Sequence, residues 1–122
     1  AGAQARYDDV VAPFDITVLG MGPDGHTASW FPHAQGLAQA LDAAGPRLAA
    51  VKAAKSDVTG DHLDRMTLTL GAVSEAEFIC LLLTGDEKRA VFERALEDGP
   101  VEDMPVRAIL RARPDLLACW AP

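Results

Sequence analysis

"FDITVLGMGPDGHTASWFP" (Phe14–Pro32) joins two kinds of sequence that together set the fold class. Phe14–Gly20 is rich in β-branched and apolar residues and stops at a glycine, which is the pattern of a buried strand. Gly20, Gly22 and Gly25 then allow a turn whose backbone takes positive φ and approaches a ligand closely. The same turn carries Asp24 and His26. A change of chain direction needs only Gly, Asn or Pro, so a titratable pair at this place points to chemistry or to an anion site.

Outward from this stretch, "FICLLLTG" (Phe78–Gly85) is the clearest strand, again ended by glycine. It leads into "DEKRAVFERALEDG" (Asp86–Gly99), the clearest helix, with Asp86 as cap, Val91, Ala95 and Leu96 on one face and Gly99 as stop. Between the two strands, "HTASWF" starts a helical turn, residues 34–45 read as a helix, and Arg47–Ala54 and Arg65–Val73 read as strands. "SEAEF" is a brief helical or turn segment. "MPVRAILRARP" predicts a short helix, "DLLACWA" a last strand, and "AGAQARYDDVV" a helix stopped by Pro13. Strands alternating with helices predict one α/β domain over residues 1–122, with a mostly parallel sheet. Ligands of such sheets bind outside the carboxyl ends of the strands. If Phe14–Gly20 and Phe78–Gly85 run parallel, the loops Gly20–His26 and Gly85–Arg89 share that edge.

The 122 residues suffice for a real core, and their formal net charge of −7 opposes binding to nucleic acid or anionic membranes. No apolar run reaches the length of a membrane span and no secretory layout opens the sequence, which predicts a cytoplasmic protein. Cys80 and Cys119 sit in apolar contexts without CxxC spacing and are expected to be buried free thiols. The three histidines have no metal-ligand spacing, and His33 and His62 read as surface residues.

His26 is the sharpest candidate for chemistry, because an imidazole takes and returns protons near neutral pH. Asp24 is placed to orient that ring or to stabilise its protonated form. The plainer alternative is a loop histidine bonded to a carbonyl beside an aspartate that caps a turn. Lys88, in the first turn of the clearest helix, either grips a phosphate together with free helix amides or belongs to a solvated charge mixture. Thr27 and Ser29 are donors to a sugar phosphate or helix caps, while Trp30, Phe31 and Trp120 read as packing. "GMGPDG" is a poor dinucleotide loop, since no acidic residue ends a second strand at the ribose spacing. A GxSxG nucleophile elbow is also absent.

"FDITVLGMGPDGHTASWFP" closely resembles the signature of the 6-phosphogluconolactonases. The resemblance continues in order through "DRMTLTLGAVSEAEFICLLLTGDEKRAVFERAL" and "MPVRAILRARPDLLACWA", so that it covers essentially the whole chain. The related glucosamine-6-phosphate deaminases share Asp-Gly-His but continue toward Ile-Ala-Phe-Asn-Glu, whereas Thr-Ala-Ser-Trp-Phe-Pro follows here. The resemblance implies a Rossmann-like α/β fold and cofactor- and metal-free hydrolysis of 6-phosphoglucono-1,5-lactone. It implies His26 as the base on water with Asp24 beside it. Lys88, Gly22, Gly25 and Arg65 become the substrate- and phosphate-binding residues, Arg65 with a structural alternative. Proteins of this kind normally carry about as much chain again upstream, with a Gly-Ser-Thr phosphate loop and an active-site arginine. The sequence is therefore expected to be the C-terminal portion of the full fold, with the N-terminal half as its partner. Two rivals remain: a deaminase-type sugar-phosphate enzyme and a non-catalytic sugar-phosphate-binding module.

Overall fold

The computed structural model describes residues 13–122, so the helix expected over "AGAQARYDDVV" lies outside the described residues. Three parallel strands form the main sheet in the order β1 (Ile16–Leu19), β4 (Phe78–Thr84), β5 (Leu117–Ala121). Ile16 pairs with Phe78 and Leu19 with Leu81, while Cys80 pairs with Leu117 and Thr84 with Ala121. The second sheet is an antiparallel pair, β2 (Leu48–Lys52) with β3 (Asp64–Leu68). The described residues also form four helices: α1 (Leu37–Ala40), α2 (Leu70–Ser74), α3 (Gly85–Ala95) and α4 (Val106–Ala112).

Alternation along the parallel strands decides where the core lies. Thr17 and Leu19 of β1, and Ile79, Leu81 and Leu83 of β4, face inward. Leu19, Ile79, Leu81 and Leu83 belong to one apolar cluster with Val73 of α2, Val91 and Ala95 of α3, and Val106 and Ile109 of α4. The opposite face holds Ile16, Val18, Phe78, Leu82 and Leu117, each between 48% and 63% exposed, so no described residue covers it. Cys80 and Cys119 lie on that outer face as free thiols with their sulfurs 3.8 Å apart. They are half-buried rather than buried, because no described residue covers that face. Partial desolvation and the neighbouring sulfur hold the Cys80 thiol above its ordinary value.

Several boundaries differ from the sequence reading, each for a local reason. The helix expected over residues 34–45 shrinks to Leu37–Ala40, because Gly36 at its start is left-handed (φ 86°) and Asp42 accepts the Ala44 N–H in a turn. The strand expected to run to Val73 stops at Leu68, since the Thr69 hydroxyl accepts the Ala72 N–H and starts α2. Thr84, not Asp86, is the N-cap of α3, without a side-chain cap bond; Asp86 sits in the first turn, where a carboxylate still favours the helix dipole. "HTASWF" makes a tight turn rather than a helical one, with the Trp30 N–H on the Thr27 carbonyl at 3.0 Å.

The far end of α3 is satisfied by a residue from another helix. Arg107, 7% exposed, donates to the carbonyls of Arg94 (3.1 Å), Ala95 (3.3 Å) and Pro100 (3.1 Å). These include orphan carbonyls of the last helical turn. Gly99 does not end the helix but leaves space for this guanidinium, which a Cβ there would hit. Leu96, read as part of the buried face, is 61% exposed beyond the last turn.

Replacing Arg107 by methionine keeps the aliphatic stem but orphans these carbonyls. The expected loss is roughly 1.5–3 kcal/mol, the scale of hydrogen bonds to a charged group. Urea unfolding should show a lowered midpoint, and an unchanged midpoint would remove Arg107 from the stabilising network.

Candidate active site

The glycine-rich loop leaves the carboxyl end of β1, and α3 leaves that of β4. Because β1 and β4 are parallel neighbours, both emerge at one edge of the sheet. Within the loop, the Gly22 N–H donates to the His26 carbonyl at 2.9 Å and the Gly25 N–H to the Gly22 carbonyl at 3.1 Å. The Thr27 hydroxyl reaches back to the Gly20 carbonyl at 2.6 Å, closing the loop onto the strand end. From α4, the Val106 N–H holds the Gly25 carbonyl at 2.9 Å. Gly25 has φ 84°, a left-handed conformation that favours glycine, and a Cβ there would also press on Met104.

This loop brings Asp24 onto His26. The carboxylate Oδ1 lies 2.5 Å from the ring Nδ1 and also accepts the His26 backbone N–H at 3.1 Å. Partial burial alone would raise the Asp24 carboxyl, but its hydrogen bonds from the His26 ring and backbone, with the Coulombic attraction of the ring, outweigh burial. The carboxyl is held below its ordinary value. An ionised carboxylate can only accept, so Nδ1 carries a proton, and in the neutral ring Nε2 is the nitrogen that keeps its lone pair. No described residue hydrogen-bonds Nε2. Gly22 makes the approach possible: a Cβ there would overlap Cε1 and Nδ1 of the imidazole.

The ring also rests against Phe31, with centroids 4.5 Å apart and planes tilted by 36°. The Arg65 guanidinium lies over the same phenyl ring, 5.0 Å from its centroid. Phe31 is packing, as expected, but its position against the imidazole is not legible from sequence. Trp30 is fully buried, and its indole N–H donates to the Leu68 carbonyl at 2.8 Å. The Ser29 N–H meets the Thr67 hydroxyl at 3.1 Å, so the β2–β3 sheet clamps the loop from one side.

The remaining candidates divide. Lys88 is half-buried in the first turn of α3 on the shared edge, and its ammonium forms no ion pair or hydrogen bond with any described residue. Thr27 is committed to Gly20 and caps no helix. Trp120, read as packing, is 38% exposed, its N–H on the Gly85 carbonyl and Arg89 over its ring. His33 is exposed and paired with Asp103 at 2.8 Å, and His62 is exposed. Among the described residues, no group of three or more His, Cys, Asp or Glu side chains gathers at a metal-binding spacing. No described helix is long and apolar enough to cross a membrane.

Comparison with known proteins gives one consistent result. A family model described as glucosamine-6-phosphate isomerases/6-phosphogluconolactonase matches residues 2–118. The chain is 46% identical over 111 residues to a 6-phosphogluconolactonase of Mesorhizobium japonicum, covering 90% of this chain and 44% of that protein. It is 35% identical over 117 residues to a 6-phosphogluconolactonase of Homo sapiens, covering 96% of this chain and 42% of that protein. A 6-phosphogluconolactonase structure from Shewanella baltica superposes with TM-score 0.82 at 34% identity, over 99% of this chain and 50% of that one. A monomeric glucosamine-6-phosphate deaminase, at 20% identity and TM-score 0.71, shares the fold. The chain spans about half the length of the curated relatives it matches.

The space at Gly22 can be probed directly. Gly22→Ala should push the imidazole off Asp24 while leaving the sheet intact. Nitrogen NMR of the ring would then lose the signature of an Nδ1–H held by a carboxylate, with an unchanged far-ultraviolet circular dichroism spectrum. A ring signal identical to wild type would show that the loop absorbs a Cβ at this position.

Proposed function

The chain belongs to the family of glucosamine-6-phosphate isomerases and 6-phosphogluconolactonases, and from that premise we propose that it carries the proton-transfer centre of a 6-phosphogluconolactonase. The observation that carries the reading is the Asp24–His26 contact of 2.5 Å, with Nε2 free, at the carboxyl end of a parallel strand. The reaction is hydrolysis of 6-phosphoglucono-1,5-lactone to 6-phosphogluconate. His26 Nε2 takes a proton from water as the water oxygen attacks the lactone carbonyl. Asp24 stabilises the imidazolium that forms. When the tetrahedral intermediate collapses, the bond from carbonyl carbon to ring oxygen breaks and the imidazolium returns its proton to that oxygen. The product acid then ionises to the carboxylate.

Lys88 anchors the phosphate, aided by the amides at the start of α3, which lack a side-chain cap. Binding energy gathered there positions the distant carbonyl for attack. Gly22 and Gly25 shape the loop around the reacting end. No described residue is placed to bind the oxyanion, and we assign that task to a further segment. The outer sheet face supports this assignment. β1 to β4 to β5 advances in one direction across the sheet, and the helices of the described chain lie on one face. In doubly wound sheets the other face is covered by connections that run the opposite way from the first strand. A counterpart of the relatives' N-terminal half, seated on the edge of β1 that no described strand pairs and on the face of Ile16, Val18 and Phe78, completes the site. The protein acts in the cytoplasm, where a charged sugar phosphate is retained because it does not cross a bilayer unaided.

The test is an assay of the chain alone and with the N-terminal half of the Mesorhizobium japonicum relative, corrected for spontaneous lactone hydrolysis. The chain alone should show little turnover and should self-associate in light scattering through its open face. The added half should restore turnover, and His26→Ala should then lower it by roughly 10²–10⁴-fold, the usual contribution of a positioned base. Release of ammonia from glucosamine 6-phosphate would favour the deaminase, and binding without turnover of either substrate would favour a binding module.

Lys88→Ala should weaken 6-phosphogluconate by about 1.5–3 kcal/mol, the scale of a charge-assisted hydrogen bond. Unphosphorylated gluconate should be little affected. Calorimetric titration with both ligands separates this from a general folding defect, which would weaken them equally.

A further inference from the structure

Arg65 is read from the sequence as a phosphate ligand with a structural alternative, and the geometry engages its guanidinium elsewhere. Its Nε donates to the His62 carbonyl at 2.9 Å and its Nη2 to the Thr59 carbonyl at 3.2 Å. Its plane lies over the phenyl ring of Phe31, which is 3% exposed and supports the His26 imidazole. Phe31 and Thr59 also line, with Asp24, Pro32, Ala54 and Ser56, a cavity of about 220 Å³ beside the dyad. We infer that Arg65 is a positioning residue for His26, acting through Phe31 and the 59–62 turn, and not a ligand of the phosphate. The inference rests on the reading of His26 as the base.

The physical need is rotational. Asp24 grips the imidazole at Nδ1 alone, and one hydrogen bond leaves the ring free to swing about that contact. A buried phenyl ring against its face removes this freedom. Phe31 in turn needs something to keep it from following the imidazole, and the guanidinium supplies that. A guanidinium is flat enough to stack on an aromatic face, and its fixed fork can hold two carbonyls at the same time. The turn that it ties down is already closed on itself: the Ser56 N–H meets the Thr59 hydroxyl at 2.9 Å, and that hydroxyl donates to the Ala54 carbonyl at 2.7 Å. Arg65 thus joins a rigid turn to the phenyl ring that touches the proposed base.

Lysine distinguishes the two roles, since it keeps the charge but lacks the plane and the fork. The test compares Arg65→Lys, Arg65→Met and Phe31→Leu in the 122-residue chain supplied with the relative's N-terminal half. The His26 ring resonances are read by proton and nitrogen NMR, and lactone turnover is measured alongside. All three variants should shift the His26 resonances and lower kcat by roughly 10- to 10²-fold, the cost of a small displacement of a reacting group. KM should stay within about twofold, as expected when only transition-state geometry is lost. Relative affinity for 6-phosphogluconate over gluconate should not change. Arg65→Met combined with Phe31→Leu should cost no more than the worse single change, because the two act in one chain of contacts. Unmoved His26 resonances, together with a phosphate-specific loss of affinity that lysine restores, would overturn the inference. If the protein hydrolyses no lactone, the ring resonances still decide the role of Arg65. If Arg65→Met fails to fold, the lysine and leucine variants decide it.

Discussion

Parallel neighbours cannot be joined by a tight turn, so the chain between β1 and β4 has to travel the full length of the sheet and return. It uses that journey to build the site. Residues 20–35 form the glycine-rich loop, and residues 48–68 fold into the separate antiparallel pair that clamps the loop. Only with that excursion complete does β4 enter beside β1, in the register Ile16 to Phe78. The register then delivers the start of α3 to the edge already occupied by Asp24 and His26. A slip of one residue would turn Leu19 and Leu81 outward and expose the buried face. Core packing and site assembly therefore depend on the same strand pairing.

The loop itself tolerates little change because its groups satisfy one another. The Gly22 amide holds the His26 carbonyl, the Thr27 hydroxyl holds the Gly20 carbonyl, and the α4 amide of Val106 holds the Gly25 carbonyl. Each of these groups would otherwise leave an unmet polar atom in a partly buried place, which costs about 1–3 kcal/mol. The histidine is thus fixed through its backbone before its ring makes any contact. Arg107 extends this order outward: it ties the end of α3 to α4, and α4 supplies the amide that holds Gly25.

Most of the sheet and the Asp24–His26 pair are legible in the sequence because their signals are local. A β-branched run that stops at glycine reads as a strand without knowledge of its neighbours, and an Asp two residues before a His is within reach of its ring. What escapes the sequence is set by partners far along the chain or by the use of one hydroxyl. "RMTLTLGAV" alternates well enough to pass as a strand through Val73, and only the bond from Ala72 to the Thr69 hydroxyl reveals that a helix has begun. Gly99 looks like a helix stop, yet its role is to make room for Arg107, and no local pattern announces that an arginine comes to α3 from α4. Phe31 likewise reads as core. It is core, but its contacts with His26 and Arg65 join residues that sequence places on different elements.

With Lys88 as the proposed anchor and His26 as the proposed base, charge explains why the two sit on different strands. The chain carries a net −7, and Asp24, held ionised by His26, adds a fixed negative charge beside the proposed base. A phosphate brought close to that carboxylate would be repelled, and the imidazolium formed during the reaction would be drawn into a competing ion pair. Moving the cation to α3, one strand over, separates the two demands. Adjacent strands lie about 4.8 Å apart, and the loops that leave them spread further, a spacing suited to the proposed substrate, a six-membered lactone ring with its phosphate at one end and its carbonyl at the other. In the proposed complex the parallel pair thus sets the two ends of the substrate as well as the two ends of the site. On the proposed reading, the lactone carbonyl meets Nε2 only when the phosphate lies on the α3 side, so the direction of binding follows from the order of the strands.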